Sequence, residues 1–474
     1  MDPIIDFLNT IFWGYILIYG LLAVGLYFTI RLGFLQILHF PEMIRCVIGS
    51  NETDKAGISP FQALCTSLAS RVGTGNIAGV AVALYLGGPG AIFWMWVVAT
   101  LGMATAYAES TLAQLYKVRN EHGDYRGGPA FYIARGLKAP WAGGVFSVCL
   151  ILSFGLIFNA VQANSIADAM QGAYGASKVW TGVAIAALTA VIIFGGITTI
   201  ARVAEIVVPF MAAGYVLVAL YVLAIHITEV PGVLALILRS AFGLEPAAGG
   251  VAGAIAVAML NGVKRGLFSN EAGMGSAPNI AAVAVPDPHH PSSQGFVQAL
   301  GVFIDTIVIC TATACLILLS GVFQQGNGLT GTQLTQAAMT AHIGAAGSYF
   351  ISVAIFFFAF TSIIGNYAYA ENAMTFLRLD GRIGMTVLRI CVLGMVVWGA
   401  SETVATVFNA ADASMGLMAS INLIAIVLLS GVVVKLTRSY VSQRKAGRQP
   451  TFVASDLPEL KGEIDAEIWS EARH

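Results

Sequence analysis

The feature that most constrains the fold is a series of long apolar runs. A membrane-spanning helix needs about 20 predominantly apolar residues, and eleven stretches of the chain meet that requirement. They are 8–30, 61–86, 90–116, 144–170, 179–200, 203–227, 250–280, 296–323, 348–376, 384–408 and 413–434. Charged residues make up only 10 % of the 474-residue chain, against roughly 25 % in a typical soluble domain. The sequence therefore predicts an all-α polytopic membrane protein with eleven transmembrane helices.

Lys and Arg are distributed unevenly between the predicted loops. Of the 24 such residues, nineteen fall in one set of alternate connections and in the C-terminal tail, among them Lys55 and Arg473. The opposite set holds only Lys178 and Arg239. Because cytoplasmic loops carry the excess of Lys and Arg, we expect a multi-pass protein of the plasma (inner) membrane with its N-terminus outside and its C-terminus in the cytoplasm.

Eleven spans can be divided into one N-terminal helix followed by two sets of five. Two five-helix sets must run in opposite directions through the membrane, which gives an inverted repeat. We expect an extra helix and cytoplasmic loop at 1–58, a first repeat at 59–227, a second repeat at 228–436 and a cytoplasmic tail at 437–474. The tail begins basic and then turns acidic, which predicts a juxtamembrane anchor followed by a solvated segment.

The second span carries Val72-Gly73-Thr74-Gly75-Asn76 near its middle. Each interior glycine costs a helix roughly 1 kcal/mol relative to alanine, so this pentapeptide favours local unwinding. Unwound backbone at bilayer depth is tolerated where it lines a cavity or binds something, and a helix broken at the midplane suits a small zwitterion and a cation. The alternative is that Gly75-xxx-Gly79 is a small-xxx-small packing face.

The seventh span, 250–280, is also interrupted, with Asn261-Gly262 and then Gly266, Gly273 and Gly275 within it. The second and seventh spans occupy corresponding positions in the two predicted repeats. A matched pair of glycine-interrupted spans indicates a binding site near the middle of the membrane.

Two further polar pairs are candidates for this site. Thr361 and Ser362 in the ninth span offer paired hydroxyl oxygens, which suit Na⁺, although such hydroxyls also bond to carbonyls of their own helix. Phe158 and Gln162 in the fourth span are four residues apart and share a helix face. They form either a pocket wall or an interhelical contact.

A charged side chain inside a membrane span costs free energy, so such a residue is first considered as a candidate functional residue. Arg71 adjoins the break and needs a carboxylate partner, for which the candidates are Glu109, Asp305 and Glu371. Such a pair is either a static contact that holds helices together or part of a gate. Lys264, Arg265 and Glu271 are predicted towards the cytoplasmic end of the seventh span, as an inner gate or a local ion pair.

Four motifs, in order along the chain, resemble the sodium:alanine symporter family, also described as alanine or glycine:cation symporters. They are Ser70–Ala81, Gly87–Trp96 followed by Gly102, Met103 and Glu109, Arg265–Pro278, and Phe358–Ser362. The resemblance covers essentially the whole membrane region. It implies a LeuT-type fold, in which one N-terminal helix precedes a 5+5 inverted repeat.

The resemblance also implies roles for individual residues. The break that contains Gly73, Thr74, Gly75 and Asn76 would hold a substrate carboxylate, and the substrate amine would lie near Asn261 and Gly262. Na⁺ would bind the carbonyls of Ala69 and Val72 and the hydroxyls of Thr361 and Ser362. The family pattern often has Trp where this chain has Asn366, so substrate size or preference is expected to differ from alanine if Asn366 faces the pocket.

The expected function is Na⁺-coupled symport of a small neutral amino acid, alanine or glycine, into the cell by alternating access. Na⁺ is the co-transported ion, and membrane lipid is the other expected partner, with no nucleic acid. No GxxxxGK[ST] signature is present, so an ATP-driven pump is not expected. An enzyme is not expected either, since the chain shows no nucleophile–base pair or metal triad. The alternative is a proton-coupled or exchanging amino-acid carrier.

Overall fold

The computed structural model describes residues 2–48, 57–121, 123–244, 250–325 and 328–470. Lys55 and Arg473, which contribute to the charge count above, lie outside these ranges. The helices are α1 (Pro3–Arg31), α2 (Leu35–Leu38), α3 (Phe40–Arg45), α4 (Pro60–Arg71), α5 (Gly75–Gly87), α6 (Gly90–Leu115), α7 (Pro129–Gly136), α8 (Pro140–Tyr174), α9 (Lys178–Ile193), α10 (Gly196–Ile225), α11 (Val230–Ala241), α12 (Gly250–Asn270), α13 (Pro278–Val283), α14 (Pro291–Leu319), α15 (Gly331–Ile343), α16 (Ala346–Phe376), α17 (Arg382–Ser401), α18 (Val404–Leu428) and α19 (Ser430–Lys445). A short hairpin pairs β1 (Val118–Arg119) with β2 (Tyr125–Arg126) in antiparallel register.

Within the described residues, nine helices are long and apolar enough to cross a bilayer: α1, α6, α8, α10, α12, α14, α16, α17 and α18. This confirms an all-α polytopic architecture. The other two predicted spans correspond to the interrupted pair α4–α5 and to the short helix α9. The count of eleven and the inverted repeat therefore stay predictions.

One predicted boundary is wrong. Residues 409–412 were expected to separate the last two spans, but the turn lies at Glu402–Thr403 and α18 continues through Asp412. Asp412 is only 2 % exposed because Lys264 and Arg265 pair with it inside the bundle. A charge that is neutralised inside a bundle does not mark a loop.

Helix α6 lies at the centre of the bundle and packs against both α12 and α14. Helix α4 begins with a capping box: the Ser59 Oγ accepts from the Gln62 N–H at 3.1 Å, and the Ser59 N–H donates to Gln62 Oε1 at 3.2 Å. Just before it, Ile58 pairs with the chain that follows α13. Its N–H donates to the Val283 carbonyl at 3.3 Å, and its carbonyl accepts from the Val285 N–H at 2.9 Å.

The same connection is held from the other side by α6. Gln114 Nε2 and Lys117 Nζ both donate to the carbonyl of Ala284, each at 2.9 Å. Residues 283–285 therefore join the start of the second span to the end of the third.

The C-terminal tail is folded against this end of the bundle. Phe452 and Trp469 are each 1 % exposed, the Phe452 N–H donates to the His289 carbonyl at 2.9 Å, and Trp469 Nε1 donates to the Leu115 carbonyl at 3.2 Å. The predicted solvated segment is therefore wrong. Aromatic and aliphatic side chains between the acidic residues of the tail supply enough apolar surface to dock it.

Candidate functional site

The break between α4 and α5 redirects main-chain donors. Val72 has φ −77° and ψ 80°, which ends the helix. The Gly73 N–H donates to Asn76 Oδ1 at 2.9 Å, and the Thr74 N–H donates to Gln162 Oε1 at 3.0 Å. The predicted interruption of the second span is thus confirmed. Side-chain amides accept from both of these N–H groups, and the Gly73 N–H also donates to the Arg71 carbonyl at 2.9 Å.

The same rearrangement releases carbonyl oxygens. In a continuous helix each carbonyl accepts from the N–H four residues later. The Ala69 carbonyl would accept from the Gly73 N–H and the Ser70 carbonyl from the Thr74 N–H, but both N–H groups bond elsewhere. The Asn76 N–H donates to the Gly73 carbonyl at 3.3 Å instead of to the Val72 carbonyl. The carbonyls of Ala69, Ser70 and Val72 have therefore lost their helical partners.

The hydroxyls of α16 lie close to this break. A Cβ atom on Gly73 would overlap Ser362 Oγ. Thr361 Oγ1 and Ser362 Oγ both donate to the Phe358 carbonyl at 3.0 Å, and Thr361 Oγ1 is 3.8 Å from Met211 Sδ on α10. Bonding to their own helix uses the hydroxyl protons but leaves oxygen lone pairs available. Ser362 faces the break, and Thr361 lies towards α10.

Asn76 joins the break to α14. Its Nδ2 donates to Asp305 Oδ1 at 2.7 Å and to the Asp305 carbonyl at 3.0 Å. The other carboxylate oxygen of Asp305 accepts from Ser269 Oγ at 2.8 Å and Thr306 Oγ1 at 2.6 Å. One buried carboxylate therefore holds parts of α5, α12 and α14 together.

Phe158 and Gln162 form one wall beside the break. The Phe158 ring stacks on Phe154, with ring centroids 4.4 Å apart, and on Phe268 of α12, with centroids 4.8 Å apart. One turn further along α8, Gln162 reaches the Thr74 N–H. The structure brings this sequence-predicted pair to the break.

Asn366 also contacts this region. Its Nδ2 donates to Asn159 Oδ1 at 3.0 Å, and its Oδ1 accepts from Ser70 Oγ at 2.5 Å. Ser70 Oγ is also 2.8 Å from Glu271 Oε1, at the end of α12. The side chain of Asn366 is fully buried and links α16 to α8 and to the end of α4.

Asn261 and Gly262 are not at the interruption of the seventh span. Both lie within α12, where Asn261 Nδ2 donates to the Val257 carbonyl at 2.9 Å. A Cβ atom on Gly262 would overlap the Ala91 carbonyl, so this glycine permits close packing of α12 on α6. The interruption that the sequence predicts is confirmed, but it lies at 271–277.

The distance along α12 separates these two residues from the rest of the site. Ser269 marks where α12 meets the break, since a Cβ atom on Gly75 would lie 2.9 Å from Ser269 Cα. Asn261 is eight residues earlier, which corresponds to about 12 Å along the helix axis. The structure therefore does not bring Asn261 and Gly262 together with Gly73–Asn76.

The prediction that Arg71 pairs with a carboxylate is wrong. Arg71 is 1 % exposed, its Nη1 donates to the Gln298 carbonyl at 3.2 Å, and within the described chain it forms no ion pair. The expected partners bind elsewhere: Glu109 to Asn422 and the Gly273 N–H, Asp305 to Asn76, and Glu371 to Arg126. Each carboxylate found a closer donor than the guanidinium.

Lys264 and Arg265 pair with Asp412, at 2.9 Å and 2.5 Å. Trp13 Nε1 donates to the Asp412 carbonyl at 3.1 Å, which places the cluster in the half of the bundle opposite the C-terminal tail. Lys264 and Arg265 are therefore not at the end that carries the tail, which the predicted orientation assigns to the cytoplasm. That orientation stays a prediction. The Arg265 guanidinium lies over the Phe268 ring, 5.7 Å from its centroid.

Sequence reasoning missed Ser70 and Ser269, and it considered Asp305 as a partner of Arg71 or as a carboxylate for proton coupling. Serine is common in membrane helices, so neither serine stood out. The one usable signal was position, since Ser70 and Ser269 each lie beside one of the two predicted interruptions.

Comparison with known proteins identifies a family to which the chain is similar. Residues 1–454 match the sodium:alanine symporter family. The amino-acid carrier protein AlsT of Bacillus subtilis is 49 % identical over 472 residues, covering 100 % of this chain and 98 % of that protein. The probable sodium/glutamine symporter GlnT of the same organism is 47 % identical, covering 99 % and 96 %. The sodium/alanine symporter AgcS of Methanococcus maripaludis is 41 % identical, covering 93 % and 98 %.

A solved structure is similar in fold alone. The crystal structure of a manganese transporter from Eremococcus coleocola superposes with a TM-score of 0.51 at 12 % sequence identity, covering 86 % of this chain and 84 % of that one. The family match and the relatives extend over almost the full length, and they describe transporters, not enzymes. The chain belongs to the sodium:alanine symporter family.

Proposed function

We propose that the protein couples the inward movement of Na⁺ to uptake of a small neutral amino acid, alanine or glycine, by alternating access. The observation that carries this proposal is the break at Val72–Thr74. It presents carbonyls that have lost their helical donors, and N–H groups that donate to side-chain amides, on one unwound segment, and a cation and a zwitterion require such groups. The family's name and that of the relative from Methanococcus maripaludis support the same assignment.

For Na⁺ we propose the carbonyls of Ala69 and Val72 with the hydroxyls of Thr361 and Ser362. Hard cations prefer oxygen ligands, and the two carbonyls have lost their helical donors. Ser362 Oγ borders Gly73, which supports its place in the set. Na⁺ shifts the conformational equilibrium only if it binds the outward-open and inward-open states differently.

The test is Thr361→Ala combined with Ser362→Ala, assayed by alanine uptake into proteoliposomes over a range of Na⁺ concentrations. We expect the half-saturating Na⁺ concentration to rise at least about tenfold, the equivalent of 1.4 kcal/mol of lost binding. Thr375→Ala is the matched control, since Thr375 lies on the same helix and bonds to the Glu371 carbonyl in the same way. Unchanged Na⁺ dependence in the double variant would refute the ion site.

For the substrate carboxylate we propose the N–H groups of Gly73 and Thr74. They now donate to the amide oxygens of Asn76 and Gln162, which are uncharged counterparts of a carboxylate oxygen. Substrate binding would therefore exchange an amide oxygen for a charged one, and hydrogen bonds to a charged acceptor are the stronger. Phe158 would exclude water from the opposite side.

For the substrate amine there are two candidate positions. One is Asn261 and Gly262, which the sequence predicts, and the other is the unwound segment 271–277. Asn261→Ala removes the polar group of the first position and should leave the alanine KM unchanged if the amine lies at the unwound segment. A KM raised tenfold or more would favour Asn261.

Asn366 is proposed as a selectivity residue. Its amide bonds to Ser70 and Asn159 within the region that would enclose the substrate side chain. The relatives carry names that point to different substrates, since one is an amino-acid carrier and another a probable glutamine symporter. Competition of alanine uptake by glycine and by glutamine, in the wild type and in Asn366→Ala, would rank these substrates and test the role of Asn366.

A proton-coupled or exchanging carrier is the second candidate. The observation that favours it is Asp305, a fully buried carboxylate that bonds directly to Asn76 beside the break. Accumulation of alanine in Na⁺-free vesicles under a pH gradient would support proton coupling. Accumulation only with a Na⁺ gradient would reject it.

The predicted orientation belongs to the same proposal: N-terminus outside, C-terminus in the cytoplasm of a plasma (inner) membrane protein. An impermeant thiol reagent applied to intact cells tests it. The reagent should label a cysteine substituted at Lys178, and it should not label one substituted at Arg378.

A further inference from the structure

A groove of about 530 Å³ opens at the end of the bundle that carries the C-terminal tail. It lies between the end of α1, the segment that follows it, and α19. The α19 residues that line it, from Val434 to Lys445, recur at intervals of three and four, so they form one face of that helix. Arg438 and Lys445 both lie on this face, and Arg31 lies across from them.

The three cations of the groove are not neutralised by protein. Arg31, Arg438 and Lys445 are exposed, and within the described chain none of them forms an ion pair. Neighbouring cations do: Lys435 pairs with Glu459 at 2.6 Å, and Arg444 and Arg45 each pair with Glu42 at 2.7 Å. The groove therefore carries net positive charge, whereas the neighbouring cations are neutralised by carboxylates.

His39 borders the same groove and adds no fourth charge. Burial lowers its pKa, Glu42 opposes that effect, and Lys445 lowers the pKa further. The imidazole is consequently neutral near pH 7 and offers a hydrogen bond without charge.

Apolar side chains border the charged groove. Phe34, Ile37 and Leu38 are 49 %, 62 % and 68 % exposed, on a short segment at the end of α1. On the other side of this segment a second groove, of about 350 Å³, is lined mainly by apolar residues, among them Ile37 and Phe40, together with Gln36 and Thr100. Large apolar side chains beside a basic surface are typical of a segment that lies at the boundary between headgroups and acyl chains.

We propose that this groove binds the phosphate headgroup of an anionic phospholipid, with the acyl chains against the apolar side chains of residues 34–38. The positive charges fit a phosphate, and basic pockets at the membrane surface bind anionic headgroups. The exposed apolar border selects a lipid over a soluble anion, which would gain nothing from it.

The test compares two triple variants of the purified full-length protein. The groove variant is Arg31→Gln, Arg438→Gln and Lys445→Gln. The control, Arg378→Gln, Arg382→Gln and Lys461→Gln, removes three exposed cations outside the groove. Phosphatidylglycerol, phosphatidylcholine and inorganic phosphate are titrated separately, and the shift in thermal unfolding temperature gives each dissociation constant.

A Lys or Arg near the membrane surface contributes about fivefold to the binding of anionic lipid. The groove variant should therefore bind phosphatidylglycerol on the order of 100-fold more weakly than the wild type, while the control variant should match the wild type. Single Arg438→Gln, with about a fivefold loss, keeps the test available if the triple variant does not fold.

Equal weakening in both triple variants, or none in the groove variant, would overturn the proposal. Phosphatidylcholine stabilisation equal to that by phosphatidylglycerol would show that charge does not matter. Inorganic phosphate that stabilises as strongly as phosphatidylglycerol, with loss in the groove variant, would assign the groove to a soluble anion instead.

Discussion

Gly75 and Gly79 belong to the same small-xxx-small pattern but have different surroundings. A Cβ atom on Gly75 would lie 2.9 Å from Ser269 Cα, and the nearest atom to a Cβ on Gly79 would be the Thr74 carbonyl at 3.6 Å. An ordinary contact needs about 3.4 Å, so Gly75→Ala must push α5 and α12 apart by roughly 0.5 Å. Overpacking of this kind costs about 1–3 kcal/mol, whereas Gly79→Ala gains up to about 1 kcal/mol of helix propensity.

Since both glycines lie in α5 and both substitutions gain helix propensity, we expect Gly75→Ala to be less stable than Gly79→Ala by about the overpacking cost, 1–3 kcal/mol. Thermal unfolding of both variants in the same detergent measures the difference, and alanine uptake shows whether function follows it. Uptake should fall in Gly75→Ala and persist in Gly79→Ala. Equal stability of the two variants would refute the close approach of α5 to α12.

Three more perturbations have defined outcomes. Asp412→Asn leaves Arg265 buried without a carboxylate and should cost about 3–5 kcal/mol of unfolding free energy, measured by thermal unfolding; a wild-type value would show that water solvates the pair. Trp469→Ala removes the indole that bonds to Leu115 and should speed proteolysis of the tail, whereas Trp469→Phe should do so less; equal rates in all three proteins would contradict docking of the tail. Burial lowers the pKa of His290 to about 3 from 6.5, so only the unfolded chain binds its proton between these values and stability should fall as pH falls, by up to about 1.4 kcal/mol per pH unit. His290→Asn, which keeps a capping oxygen, should reduce this slope, and an identical slope in both proteins would show that His290 does not contribute.

The spans could be predicted because hydropathy depends on local composition. Each predicted apolar run overlaps at least one helix, although the boundary between the last two runs is displaced, and both interruptions were visible as glycines. What failed were positions that depend on contacts between distant residues. Asp412 has the composition of a loop until Arg265 is placed beside it, and the tail has the composition of a solvated segment until its aromatic side chains meet α6.

The candidate site also contains residues that could be predicted from local sequence and residues that could not. Gly73, Thr74 and Asn76 follow from the cost of glycine in a helix, and Phe158 with Gln162 from helical spacing; the structure brings all five to one break. Their role in binding stays a prediction. The break in the seventh span lies after Asn270 and not at Asn261–Gly262, because a glycine that lets two helices pack has the same sequence appearance as one that unwinds a helix.

The pairing of Ile58 with residues 283–285 limits how often this end of the protein opens at rest. Separation would break the two main-chain bonds of Ile58 and, if the connection left α6 as well, those from Gln114 and Lys117. At about 1 kcal/mol each, four bonds keep all but roughly one molecule in a thousand closed. If the protein moves Na⁺ as proposed, a connection held closed by these bonds would limit Na⁺ leak between transport cycles. Slow hydrogen exchange at the Val285 amide would be its signature.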